Sequence, residues 1–227
     1  VVTNPGNNNI ALLFGYANEA FVKETTLSTG NGSQPQSFAI GDFNNDNHMD
    51  IAVVNSRTNN VGIFLGYGNN SFTNQLTYTT GVAPKAVALG DFNNDSNLDI
   101  VVVNSEDDNI SIFLVYGNGS FTNQMTFSTG SNSEPYSVAV GDFNNDTLLD
   151  IIVANHGSNS VCVFLQYGNS NFSDPKFFSV GYGRLPFSVV VGDFNNDRKL
   201  DLVIANEGTD NLMMLHEYRT FQLTVRL

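Results

Sequence analysis

Gly41-Asp42-Phe43-Asn44-Asn45-Asp46 recurs residue for residue at Gly90, Gly141 and Gly192, at intervals of 49, 51 and 51 residues. A fixed period near 50 marks a repeat array, in which each unit buries its apolar surface only against its neighbours. The rest of the unit repeats as well. An apolar run follows each hexapeptide (residues 51–54, 100–103, 151–154 and 202–205), then an Asn, then a second run that ends in Phe-Leu-x-Tyr-Gly-Asn at Phe64, Phe113 and Phe164. Partial copies flank the array: residues 10–16 match 61–67, and 212–218 match 161–167. In the last copy His216 and Glu217 replace Leu165 and its neighbour Gln166, which suits an exposed terminal unit.

Within the third unit the runs 137–140, 151–154, 161–167 and 171–179 are each bounded by Gly, Asn, Asp or Pro. These are strand lengths rather than helix lengths. Ile51-Ala52-Val53-Val54 and Ile100-Val101-Val102-Val103 are apolar on both strand faces, so both faces need cover. Four-stranded antiparallel units of this size, stacked face to face, are β-propeller blades; a parallel β-solenoid is the alternative, although its coils are usually shorter. The expected fold is therefore all-β, a single repeat domain over 1–227. Residues 1–29 supply a three-stranded partial blade lacking its innermost strand, and 36–80, 84–129, 135–179 and 186–227 supply complete blades, nineteen strands in all, the last expected over residues 220–226. That count fits a five-bladed ring or an excerpt of a larger one, for example seven-bladed. Lacking an initiator Met, the chain reads as an excerpt or a processed product.

The 227 residues carry 9 Lys and Arg against 22 Asp and Glu, a net charge of −13, with a pI of about 4.2. Such a chain cannot neutralise a row of phosphates, so nucleic acid is excluded as a partner. With 41% hydrophobic and only 14% charged residues, it is no disordered acidic tail. The single cysteine, Cys162, rules out an internal disulfide framework. No apolar run approaches the roughly 18 residues of a helical span, so this segment is not expected to insert into a membrane.

The hexapeptides open four candidate cation loops. Oxygen-bearing groups fall at alternating positions: Asp42, Asn44, Asp46 and Asp50 with the main-chain carbonyl of His48; Asp91, Asn93, Asp95 and Asp99 with that of Asn97; Asp142, Asn144, Asp146 and Asp150 with that of Leu148; Asp193, Asn195, Asp197 and Asp201 with that of Lys199. Positions 1, 3, 5, 7 and 9 of such a loop offer five or six oxygen ligands, the hard and flexible set that suits Ca²⁺ better than Mg²⁺. Four Ca²⁺ sites are expected. An EF-hand would need Gly at position 6 and Glu at position 12. Position 6 is instead Asn47, Ser96, Thr147 and Arg198, and position 12 is Val53, Val102, Val153 and Ile204. Asx-rich turns without metal are the alternative, but three carboxylates per loop would then repel one another unrelieved. The loops hold twelve of the acidic residues, and four Ca²⁺ would bring −13 to −5.

The pattern Gly-Asp-Phe-Asn-Asn-Asp-x-x-x-Asp-Ile, followed by Phe64-Leu65-Gly66-Tyr67-Gly68-Asn69 and Gly81-Val82-Ala83-Pro84, resembles the FG-GAP repeats of integrin α-chain propellers and of many secreted proteins. The resemblance implies an extracellular, Ca²⁺-stabilised propeller serving in cell adhesion or ligand binding, with the loop residues above as metal ligands. Seven Asn-x-Ser/Thr sequons, beginning at Asn31, Asn69, Asn94, Asn109, Asn118, Asn145 and Asn171, are compatible with a secreted glycoprotein.

In an up-and-down blade the turns between strands 1 and 2 and strands 3 and 4 share one face, and the remaining turns share the other. The metal face is nearly constant between units, whereas the opposite face varies and is expected to bind a protein or glycan ligand through Tyr136, Tyr182 and Arg184. Catalysis by this segment is not expected. His48, His156 and His216 occupy unrelated repeat positions, no triad converges, and Cys162 takes a strand position filled elsewhere by Gly62 and Ser111. A lectin and a non-catalytic propeller of a secreted hydrolase or lyase are the alternative readings.

Overall fold

The computed structural model describes residues 1–15, 21–218 and 222–226. Among them, nineteen strands form five sheets, every ladder antiparallel. The first sheet holds β1 (Val2–Asn4), β2 (Asn9–Gly15) and β3 (Phe21–Ser28). The second holds β4 (Pro35–Gly41), β5 (Asp50–Asn55), β6 (Asn60–Phe64) and β7 (Leu76–Thr79), and the third β8 (Pro84–Gly90), β9 (Asp99–Asn104), β10 (Asn109–Phe113) and β11 (Met125–Ser128). The fourth holds β12 (Pro135–Gly141), β13 (Asp150–Asn155), β14 (Ser160–Phe164) and β15 (Lys176–Ser179), and the fifth β16 (Pro186–Gly192), β17 (Asp201–Asn206), β18 (Asn211–Tyr218) and β19 (Gln222–Arg226). Sequential up-and-down order within each sheet makes these propeller blades and removes the parallel solenoid. The innermost strands β4, β8, β12 and β16 pack against one another in succession.

The core lies between blades. Alternate residues of each second strand point to opposite neighbours, as the period-2 geometry of a strand requires. Ile51 and Val53 join Ile10 and Leu12 of the first sheet, whereas Ala52 and Val54 join Val87, Ile100 and Val102 of the third. The same division recurs at β9 and β13. This explains the uninterrupted apolar runs: each second strand is buried along its whole length in blades two to four.

Three strand limits of the fourth blade differ from expectation. The third strand of the fourth blade ends at Phe164, and the outer strand begins only at Lys176. Between them the chain closes on itself: Ser173 N–H donates to the Leu165 carbonyl at 2.8 Å, Leu165 N–H to Ser173 Oγ at 3.1 Å, and Tyr167 N–H to the Asn171 carbonyl at 3.0 Å. Pro175 then withholds a donor from the ladder. The innermost strand of the fourth blade begins at Pro135 rather than at residue 137, and all four innermost strands start at a proline with a register shift over the next residue, the place where a strand tolerates both. Tyr16 and Thr220, expected at strand ends, lie outside the described residues. No helix among the described residues is long and apolar enough to cross a membrane.

Candidate functional site

Each loop between a blade's first and second strands is built by its own side chains. Asp42 Oδ1 accepts the Asp46 N–H at 3.2 Å and its Oδ2 accepts the Asn47 N–H at 2.8 Å. Asp91, Asp142 and Asp193 accept the equivalent pairs in the other loops. Asn44 Nδ2 donates to Asp46 Oδ2, as Asn93, Asn144 and Asn195 do to Asp95, Asp146 and Asp197, at 2.8–3.1 Å. Asp46 Oδ1 takes the His48 N–H, and the same bond ties Asp95 to Asn97, Asp146 to Leu148 and Asp197 to Lys199. The wrap requires left-handed backbone at positions 4 and 6. Asn45 and Asn47 have φ of 59° and 62°, and Ser96, Thr147 and Arg198 hold position 6 at 68°, 75° and 68°.

The ninth-position carboxylate lies beneath the loop and is wholly buried. Asp50 Oδ2 accepts the Phe43 N–H at 2.8 Å and Oδ1 the Gly66 N–H at 2.7 Å, clamping the loop to the end of the third strand. Asp99 and Asp150 repeat this with Phe92 and Val115 and with Phe143 and Gln166. Burial, then repulsion from Asp46 and Asp42, outweighs those amide bonds and raises the Asp50 pKa. Asp99 and Asp150 are pushed up to about 6 in the same way, with Asp95 and Asp91, and Asp146 and Asp142, as the repelling neighbours.

Among the described residues no three Asp, Glu, His or Cys side chains form a ready-made cage, because the loop carboxylates are turned to backbone amides. The donor chemistry nevertheless fits a hard divalent cation. All the side-chain donors are oxygens, and in three loops the two outer carboxylates stand close enough to raise the proton affinity of the buried one.

The loops also reach across blades. The Phe43 carbonyl accepts the Gly119 N–H of the next blade at 2.9 Å, and Asn45 Nδ2 donates to Asn97 Oδ1 at 2.8 Å. The Phe92 carbonyl accepts Gln166 Nε2 at 2.7 Å and the Ser170 N–H at 3.0 Å. The Phe43 and Phe92 bonds join an Asp-rich loop to the strand 3–4 turn of the following blade, and the Asn45–Asn97 bond joins two such loops, so the two kinds of turn do share one face.

On the opposite face every strand 2–3 turn ends in a left-handed Asn or Asp: Asn8, Asn59, Asp108, Asn159 and Asp210, with φ between 50° and 53°. The first four turn their side chains on the following inter-blade connection, accepting N–H groups of Gln34, Ala83, Asn132 with Glu134, and Leu185. Sequence reasoning passed over this set, although its signal was present as an Asn or Asp recurring just before each third strand.

Of the residues expected to contact a ligand, Tyr136 stacks on His156 with ring centroids 4.3 Å apart, whereas Tyr182 is fully exposed in the connection to the fifth blade. Arg184 serves that connection through its backbone, its carbonyl accepting the Gly208 N–H. The three therefore do not form one cluster. Cys162 is buried and its thiol is pushed up to about 12, which keeps it protonated and unreactive. His48 lies 3.2 Å from Asp46 within the first loop, His156 lies on the opposite face, and the His216 side chain lies outside the described residues.

Four overlapping segments, 1–53, 42–102, 91–153 and 142–204, match the family described as FG-GAP-like repeat. No curated protein matches the sequence. Similar solved structures include virginiamycin B lyase from Staphylococcus aureus (13% identity, TM-score 0.66, 99% of this chain and 68% of that one). A protein of unknown function from Desulfotomaculum acetoxidans gives 15%, 0.74, 99% and 64%, and a 6-phosphogluconolactonase candidate from Bacteroides uniformis gives 11%, 0.74, 99% and 65%. At such identities the likeness shows the fold alone. The chain spans 62% to 68% of the length of the first structures it matches.

Proposed function

Since the chain belongs to the FG-GAP-like repeat family, we propose that it is an extracellular recognition module, a β-propeller whose blades are held in register by Ca²⁺ in four loops and whose opposite face binds a protein or glycan partner. One observation carries the reading. Four loops repeat the same oxygen-rich wrap over a buried carboxylate, in three of them one repelled by its two neighbours, and at least two are tied directly to the next blade. Asp42, Asn44, Asp46 and Asp50, with their counterparts in the other loops, would hold the ion, and a bound Ca²⁺ supplies the positive charge that cancels their repulsion. The residues themselves do the rest: the first Asp orders the turn, the Asn and second Asp close it, and the buried ninth-position Asp transmits its position to the third strand.

The same reading gives this segment a non-catalytic role. Protein oxygens fill the loops, Cys162 is held protonated, and His48 and His156 stand on opposite faces. The lyase and lactonase names among the structural neighbours belong to those proteins. Equilibrium dialysis of chelated protein against calcium tests the reading: uptake approaching four ions per chain supports it, and no uptake removes it. Incubation with representative lactone, ester and glycoside substrates is expected to show no turnover.

A further inference from the structure

Four apolar clusters fill the spaces between successive sheets, from the first and second to the fourth and fifth. Each interior blade therefore has two kinds of face. Toward the following blade the second blade presents Phe43, Val54 and Val61, the third Phe92, Val103 and Ile110, and the fourth Phe143, Ala154 and Val161. Toward the preceding blade the same three present Val53 with Phe64, Val102 with Phe113, and Val153 with Phe164.

The fifth blade repeats the first kind of face with Phe194, Ala205 and Leu212, but there it is open. Phe194 is 47% exposed, against 4% or less for Phe43, Phe92 and Phe143, and Leu212 is 73% exposed, against 1% or less for Val61, Ile110 and Val161. Where the other blades have Ala39, Ala88 and Ala139, this one has the larger Val190, also exposed. A cavity of about 530 Å³ opens between Phe187, Ala205 and Leu212. The first sheet repeats the second kind of face. Val2 and Leu13 hold the register positions of Val53 and Phe64, and both are exposed, whereas Val53, Phe64 and their counterparts in the third and fourth blades are buried.

We propose that these two end faces are the halves of one contact, so that the fifth blade of one copy packs on the first sheet of a second copy, head to tail. The repeat itself supplies the complement. At every boundary inside the chain a face of the first kind meets a face of the second, so the surface that fits Phe194, Ala205 and Leu212 is one like that of Val2 and Leu13. Burying apolar side chains of this size recovers the free energy lost by leaving them in water. The two faces differ, which makes the contact heterologous. Two five-sheet copies bring together ten sheets, more than the roughly eight blades of a propeller ring, so a dimer keeps one face of each kind free and association runs on. The net charge of −13 opposes association, and salt screens that repulsion. Added salt therefore strengthens this contact, whereas it would weaken one made by charge pairs. No loop carboxylate takes part, so the contact and the calcium reading stand or fall separately.

Sedimentation equilibrium of the protein in calcium buffer tests it. The average mass is expected to rise at least about twofold between roughly 1 and roughly 200 μM, and further in about 0.5 M sodium chloride. Leu212→Asp and Leu13→Asp each block one end. Either variant alone is expected to stay monomeric, and their equimolar mixture to form a one-to-one dimer that grows no further. Both side chains are exposed, so the melting temperatures should not move; Val190→Lys and Val2→Asp repeat the design at second positions if either variant melts early. A wild-type chain that stays monomeric at every concentration overturns the proposal. Self-association of Leu13→Asp alone would pair two fifth-blade faces and overturns it as well, as does a mixture of the two variants that stays monomeric.

Discussion

Thr147 sits at φ 75°, where a β-branched residue is strained, because its N–H must point at Asp142 Oδ2, 2.8 Å away. Glycine adopts that conformation without the clash, so Thr147→Gly is expected to stabilise the protein by about 1 kcal/mol and to raise Tm by roughly 2–4 °C. A melting curve that falls instead would show that the turn does not need left-handed backbone there. The buried ninth-position carboxylates set a pH dependence. In metal-free protein the folded pKa of Asp99 and Asp150 is about 6, above the ordinary 3.8, so the folded state holds more protons between those values. Stability from these groups is therefore greatest below pH 4 and is lost as pH rises through 6, by about 2–3 kcal/mol for each. Saturating calcium is expected to reverse the trend, because the ion binds the deprotonated carboxylates. Thermal melts from pH 4 to 7.5, with chelator and with calcium, read both slopes.

Connections between strands divide the labour that the sequence hides. The blade pattern is legible from residues alone, since Ile51 to Val54 alternates its burial between two neighbours and an apolar run with no polar face leaves few other solutions. The turn geometry of the candidate cation loops is legible too, since Asp and Asn at alternate positions specify the Asx turns seen at Asp42 and Asp46. The Asp108 type of anchor was not, because its partners lie about 25 residues away and a lone Asp before a strand carries no mark of them. Nor could spacing show that Tyr136 stacks on His156 while Tyr182 stands in solvent, since that depends on how neighbouring turns approach. Asp108→Ala deprives the Asn132 and Glu134 N–H groups of their acceptor and places Ala in left-handed backbone at φ 51°. A loss of about 2 kcal/mol in urea denaturation is expected; an unchanged midpoint would assign the anchor no structural role.

A stack of blades in which each core belongs to two sheets couples every loop to the whole array. The bonds from Phe43 and Phe92 to the next blade's turn make the face of the Asp-rich loops the place where that coupling is most direct. Asp150→Asn is expected to lower calcium uptake by one ion per chain and to loosen the contact between the fourth and fifth blades, without unfolding the others. Filling a site at a hundredfold excess over its Kd contributes about 2.7 kcal/mol, so four sites acting together should raise Tm by on the order of 10 °C or more. Calorimetric titration of the chelated protein with calcium, followed by a melt of the same sample, tests the account most directly. Uptake approaching four ions per chain with a rise in Tm of that size is the predicted result; no heat of binding and an unmoved melting temperature would contradict it.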